Sequence, residues 1–172
     1  MGAEMRFEIS GAEIGYGSSS PDNYGSQVTR VALDELAAAG GNFANFRQIY
    51  DQDGPTSSHL FDGPTTQTDA ALRVGLGHAK SLGLKTSLYV LVETPDNEPS
   101  LRGNLAPTDV ASWFADYKQN VLRSAVLAQS TGTDMLVIGG ELFKLATVPA
   151  YRNYWTDIID AVRSVYHGAV TY

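Results

Sequence analysis

The sequence contains no cysteine. That excludes a disulfide, a thiolate nucleophile and a thiolate metal site, so the fold has to be held by packing. Positive charge is also scarce: 12 Lys and Arg stand against 19 Asp and Glu, a net charge of -7. The basic residues form no stripe, and phosphate recognition needs them clustered, which excludes a nucleic-acid surface. No apolar run reaches the roughly 18 residues of a membrane span. Residues 1–10 lack the long apolar stretch of a secretory signal, and the compartment stays open. What remains is the composition of one soluble domain over residues 1–172, 43% hydrophobic and 18% charged.

What the chain does have is a repeated grammar of helical segment, glycine and short apolar run. Gly40-Gly41 precedes Asn42–Phe46, Gly83 precedes Leu84–Val92, Gly132 precedes Met135–Ile138, and Gly168 precedes Ala169–Tyr172. A glycine just past a helix closes its last turn in the left-handed conformation, so each marks a helix end and a strand start. Helical period is carried by Val28, Ala32 and Leu36, by Leu72, Leu76, Ala79 and Leu82, by Val110, Phe114, Tyr117, Val121 and Ala125, and by Tyr151, Trp155, Ile158, Val162 and Val165. Helix starts are signalled by Thr66 with Asp69, and by Pro107-Thr108-Asp109. With an early strand around residues 8–15, the reading is an α/β chain of about five parallel strands and four helices, joined by right-handed crossovers.

Two long, polar, proline-bearing loops, residues 51–67 and 93–107, follow strands, whereas the helix-to-strand loops are short. Ligands of parallel α/β folds bind at the carboxyl ends of strands, which places function on the long-loop rim. On that rim, directly after the fourth strand and Gly139-Gly140, stands Glu141. Read from the residues alone, it either caps the next helical segment, pairs with a base such as Lys144, or does chemistry.

Several segments carry a family resemblance. They are His78-Ala79-Lys80-Ser81-Leu82-Gly83-Leu84-Lys85, Trp113-Phe114-Ala115-Asp116-Tyr117, the run from Gly132 to Leu142, and the run from Trp155 to Tyr172. In this combination and order, from about Ser26 onward, the chain resembles the first part of a clan A glycoside hydrolase barrel, most closely the β-mannanase-like family 113. The resemblance implies a partial (βα)8 TIM barrel, half-barrel-like, and a retaining glycosidase chemistry in which Glu141 is the general acid/base. The nucleophile of that clan lies on a seventh strand, which this sequence does not contain. Gly140 stands where the family tends to have threonine, and Leu101 stands where a tryptophan often precedes Arg-Gly.

Other rim residues are weighed as sugar contacts against structural roles: Asp51, Asp53 and Glu93 as turn or cap residues, Tyr50 and Arg102 as packing. Gln52-Asp53 resembles a family Q-D. The substrate-binding set taken forward is Asp53, Glu93, Arg102 and Tyr50. Trp113, on a helix, is assigned to the core, His78 to a helix surface, and His59 has no second ligand at metal spacing. The expectation is therefore a cofactor-free, metal-free fragment of an endo-β-mannanase-like hydrolase, inactive alone, whose partner is a β-linked polysaccharide or oligosaccharide. Its open sheet edges invite self-association or a complementary barrel half. The alternatives are a non-catalytic carbohydrate-binding or assembly module on the same scaffold, and a doubly wound flavodoxin-like domain with Gly15-Tyr16-Gly17-Ser18-Ser19-Ser20 as a faint phosphate loop.

Overall fold

The computed structural model describes residues 9–14, 20, 22–94 and 102–172. The ends of the first expected strand, Glu8 and Gly15, most of the glycine-serine loop, and Leu101 lie outside the described residues. The strands are β1 Gly11–Glu13, β2 Phe43–Asp51, β3 Lys85–Glu93, β4 Met135–Val137 and β5 Ala169–Thr171. They lie side by side in chain order, and every neighbouring pair is parallel. Doubly wound folds reverse their strand order at a switch point, which puts helices on both faces. The consecutive order here has no such point, and it overturns the flavodoxin-like alternative.

The helices are α1 Gln27–Ala38, α2 Asp69–Ser81, α3 Val110–Thr131, the single turn α4 Phe143–Ala146 and α5 Arg152–Val165. Burial along β2 alternates strictly: Ala44, Phe46, Gln48 and Tyr50 are buried beneath the helices, while Asn45, Arg47, Ile49 and Asp51 on the opposite face are half-buried. The strand register carries that second face across the sheet, from Glu13 to Asn45, Ser87, Met135 and Ala169, and from Arg47 to Tyr89, Val137 and Thr171. We refer to it as the inner face.

The core lies between sheet and helices. Trp113 is fully buried, stacks on Tyr117 and donates its indole N–H to Gln52 Oε1 at 2.9 Å. Burying an indole demands such an acceptor, and the core assignment of Trp113 holds.

Four local readings needed correction. The buried positions of α1 are Thr29 and Leu33, and Val28 is 75% exposed. One buried threonine, held by its hydroxyl on Asn23 O, was invisible to an apolar-period search. The cap of α2 is Thr68, which accepts from Ala71 N, while the Thr66 hydroxyl accepts from Gly63 N. Strand β2 runs on to Asp51: burial alternates along its whole length, although Arg47-Gln48 interrupt the apolar run that marks its start in the sequence. Finally, Gly40, Gly83 and Gly132 have positive φ, but Gly168 does not. Gly168 is small for another reason: a Cβ there would lie 2.1 Å from the Tyr166 hydroxyl.

Candidate active site

Three sequence-expected residues meet at the carboxyl end of the sheet. Glu93 is the last residue of β3 and is 8% exposed, and a carboxylate that buried requires a paired, hydrogen-bonded partner. Arg102 supplies it as a fork: its Nε donates to Glu93 Oε2 at 3.1 Å and one terminal nitrogen donates to Oε1. The other terminal nitrogen donates to Glu141 Oε2. Burial works against the Arg102 charge, but hydrogen bonds to Glu93 and then Glu141 outweigh it and raise its pKa. Glu141 thus pairs with Arg102 and not with Lys144, the base expected from sequence. Lys144 N instead donates to Gly103 O at 3.3 Å, stitching the segment after Arg102 to α4.

The turn that delivers Glu141 is built by tyrosines. Tyr117 donates to Ile138 O at 2.7 Å, and Tyr172 accepts from Leu142 N at 3.1 Å. Between these anchors, a Cβ at Gly139 would sit 2.7 Å from the Tyr117 hydroxyl, and one at Gly140 would sit 1.9 Å from the Tyr89 hydroxyl. Neither position has room for a side chain. The chain then places Glu141 at φ 61, the one positive φ at a non-glycine among the described residues. For an L-residue that region costs roughly 1–2 kcal/mol, strain that persists only where surrounding structure imposes it. The Glu141 side chain is about half exposed, with its carboxylate on the rim.

Asp51 pairs in register with Glu93. Burial, and then the neighbouring Glu93 charge, raise its pKa, opposed by a hydrogen bond from Thr65. Its Oδ1 is buried without a hydrogen-bond partner. The folded state therefore holds the Asp51 proton to higher pH than the unfolded chain does, and stability falls as pH rises from the unfolded pKa through the raised folded one. Asp51→Asn is expected to be more stable than the parent at pH 7, with the difference vanishing near pH 3. Thermal melts across that range check it.

The other expected contacts lie elsewhere. Tyr50 is fully buried on the helix-covered face, its hydroxyl 3.2 Å from Ser124 Oγ and 3.1 Å from Asn120 O, and burial pushes its pKa up to about 12. It packs β2 against α3 and cannot touch a ligand at the rim. The reason is parity: strand side chains alternate, and Tyr50 is one residue out of step with the inner face. Asp53 is exposed in the turn after β2, and no described contact ties it to Glu93, Arg102 or Glu141. Gln52 is spent on Trp113 and on Gly54 O. His59 and His78 sit against Asp116 and Asp34 at the surface.

A profile of Glycoside Hydrolase Family 113 matches residues 14–172. The chain belongs to that family. No curated protein matches it. Among solved structures it is similar to the GH113 β-mannanase AaManA from Alicyclobacillus acidocaldarius in complex with ManMIm, at TM-score 0.84 and 24% identity over 95% of this chain and 53% of that one. It is equally similar to a GH113 β-1,4-mannanase complex, at TM-score 0.84 and 24% identity over 95% and 54%. A GH5_18 protein from Bifidobacterium longum subsp. longum matches more distantly, at TM-score 0.52 and 13% identity over 83% and 37%. The chain spans about half the length of the GH113 structures, and its five parallel strands form part of a TIM barrel.

Sequence reasoning passed over Tyr89, Tyr117 and Tyr172. The signal for Tyr89 was available: it lies four residues before Glu93 on one strand, hence on the same face.

Proposed function

We propose that this GH113 chain is the acid/base-bearing part of a retaining glycoside hydrolase acting on β-1,4-linked mannan, with Glu141 as the proton donor and acceptor. The observation that carries the reading is the backbone of Glu141. A charged residue adopts a left-handed conformation four residues past the end of β4, behind two glycines against which tyrosines pack. Strain of this kind concentrates at functional sites. The β-mannanase relatives support the substrate class.

Each nearby group has a task in this reading. Arg102, fixed by Glu93, donates to the Glu141 carboxylate and so orients it, and a carboxylate is the form that activates water in the second half of a retaining cycle. The first half needs Glu141 protonated, to give its proton to the leaving oxygen. A second carboxylate about 5–5.5 Å away would act as nucleophile and favour that proton by like-charge repulsion. Glu93 is committed to Arg102, so the nucleophile would come from residues beyond β5, in the same or another polypeptide. Joined to β1 and β5, such residues would also cover the inner face and the two short edge strands. Asp53, exposed beside the rim, is offered to sugar hydroxyls.

Titration of the isotopically labelled chain with β-1,4-mannotetraose tests the substrate class. Amide resonances of Arg102, Gly103, Gly140 and Glu141 are expected to move together with one dissociation constant. Absence of any rim shift at tens of millimolar sugar would overturn the reading.

A further inference from the structure

Five tyrosines, four of them buried and Tyr172 half exposed, each engage their hydroxyl in a hydrogen bond. Tyr24 accepts from Arg47 N at 2.8 Å, Tyr50 reaches Ser124 and Asn120, Tyr117 donates to Ile138 O, Tyr166 donates to Thr133 O at 2.8 Å, and Tyr172 accepts from Leu142 N. Tyr89 is different. It is half-buried on the inner face of β3, and its hydroxyl has no hydrogen-bond partner among the described residues.

That hydroxyl lies against Gly140. It fills the space beside Gly140 that a side chain there would occupy, with the ring carbon bearing it 2.7 Å from the ideal Cβ site. Burial raises the Tyr89 pKa, and the next largest influence is the charge of Glu141, followed by Arg102 and Arg47 acting in the opposite direction. The phenol therefore lies one residue from the strained glutamate, within its electrostatic reach, and remains protonated at neutral pH as a donor. A half-buried donor with no protein acceptor loses hydrogen bonding that a ligand oxygen or water must restore.

We propose that Tyr89 is a sugar-contact residue, whose unpaired hydroxyl donates a hydrogen bond to a hydroxyl of the hexose seated against the inner face beside Glu141. This rests on the glycan reading above and deepens it, because it assigns part of the subsite floor to the third strand. Residue 140 must remain glycine for the phenol to stand there. A phenol can donate to one sugar hydroxyl and accept from another, which suits a polyol better than an apolar ligand.

The test uses the full chain with tyrosine labelled at the ring carbon bearing the hydroxyl, titrated with β-1,4-mannotetraose. The Tyr89 signal, assigned by its loss in Tyr89→Phe, is expected to shift with the same midpoint as the Gly140 and Glu141 amides. Tyr89→Phe is expected to bind the sugar about 3- to 10-fold more weakly. Its urea midpoint should match the parent, since the lost hydroxyl has no partner in the fold. If rim amides shift but the Tyr89 signal does not, and the phenylalanine variant binds equally well, the assignment of Tyr89 is wrong while the glycan reading survives. A marked loss of stability in Tyr89→Phe would also overturn it, by revealing an internal partner. If mannotetraose moves nothing on the rim of the parent, the glycan reading itself fails and takes this inference with it.

Discussion

Arg102→Met is expected to destabilise the fold by about 3–5 kcal/mol, the cost of breaking a buried ion pair from one side. The side chains of Arg102 and Glu93 are 9% and 10% exposed, so solvent cannot take over when the guanidinium is removed. Glu93 would be left charged in a site built for two charges. Most domains have only about 5–15 kcal/mol to lose, so the change should be plain in urea denaturation. The double variant Glu93→Leu with Arg102→Met should recover most of the loss, because an apolar pair of similar volume is often as stable as the ion pair it replaces. A single variant with near-parent stability would show that Glu93 is solvated and that Arg102 is not its anchor. The contact to Glu141 is a smaller matter for stability, as that side chain is half exposed and exposed pairs contribute about 0–1 kcal/mol.

Glu141→Gln is expected to reduce mannan turnover about 10²- to 10⁴-fold, the usual contribution of a positioned general acid/base, in whatever assembly of this chain supplies the second carboxylate. The amide keeps the shape and can still accept from Arg102, so sugar binding should persist. An unchanged rate would remove Glu141 from the mechanism and favour a binding module. Its backbone gives an independent measurement. With φ at 61, Glu141→Gly should be more stable than Glu141→Ala by about 1 kcal/mol, since both lose the carboxylate and glycine alone tolerates that region without strain. A site whose removal relieves strain while abolishing activity is one where stability was traded for function. Equal stability of the two variants would mean the turn relaxes and the strain is absent.

Much of the site was legible because its causes are local. Glycines after helices fixed strand starts at Lys85 and Met135, and the placement of Glu141 after β4 followed from counting along the chain. Arg102 and Glu93 were each singled out, yet their union across a long loop was not, because pairing depends on distance in space. Tyr50 was misplaced for a simpler reason. With β2 ended at Phe46 there was no strand parity to assign it, and an aromatic next to an acid reads as a ligand contact until its face is known.

By itself the sequence determined the alternation of strands and helices and the family, and it pointed to the candidate rim and to Glu141 on it, since these depend on period, spacing and turn chemistry along the backbone. Tertiary structure alone decided the consecutive strand order, the left-handed turn at Glu141 and the free hydroxyl of Tyr89. Each of these arises where segments distant in the chain compete for one volume: Tyr89 and Tyr117 close in on Gly139 and Gly140 from other elements. That crowding leaves little room for a side chain at the two positions that precede the left-handed Glu141.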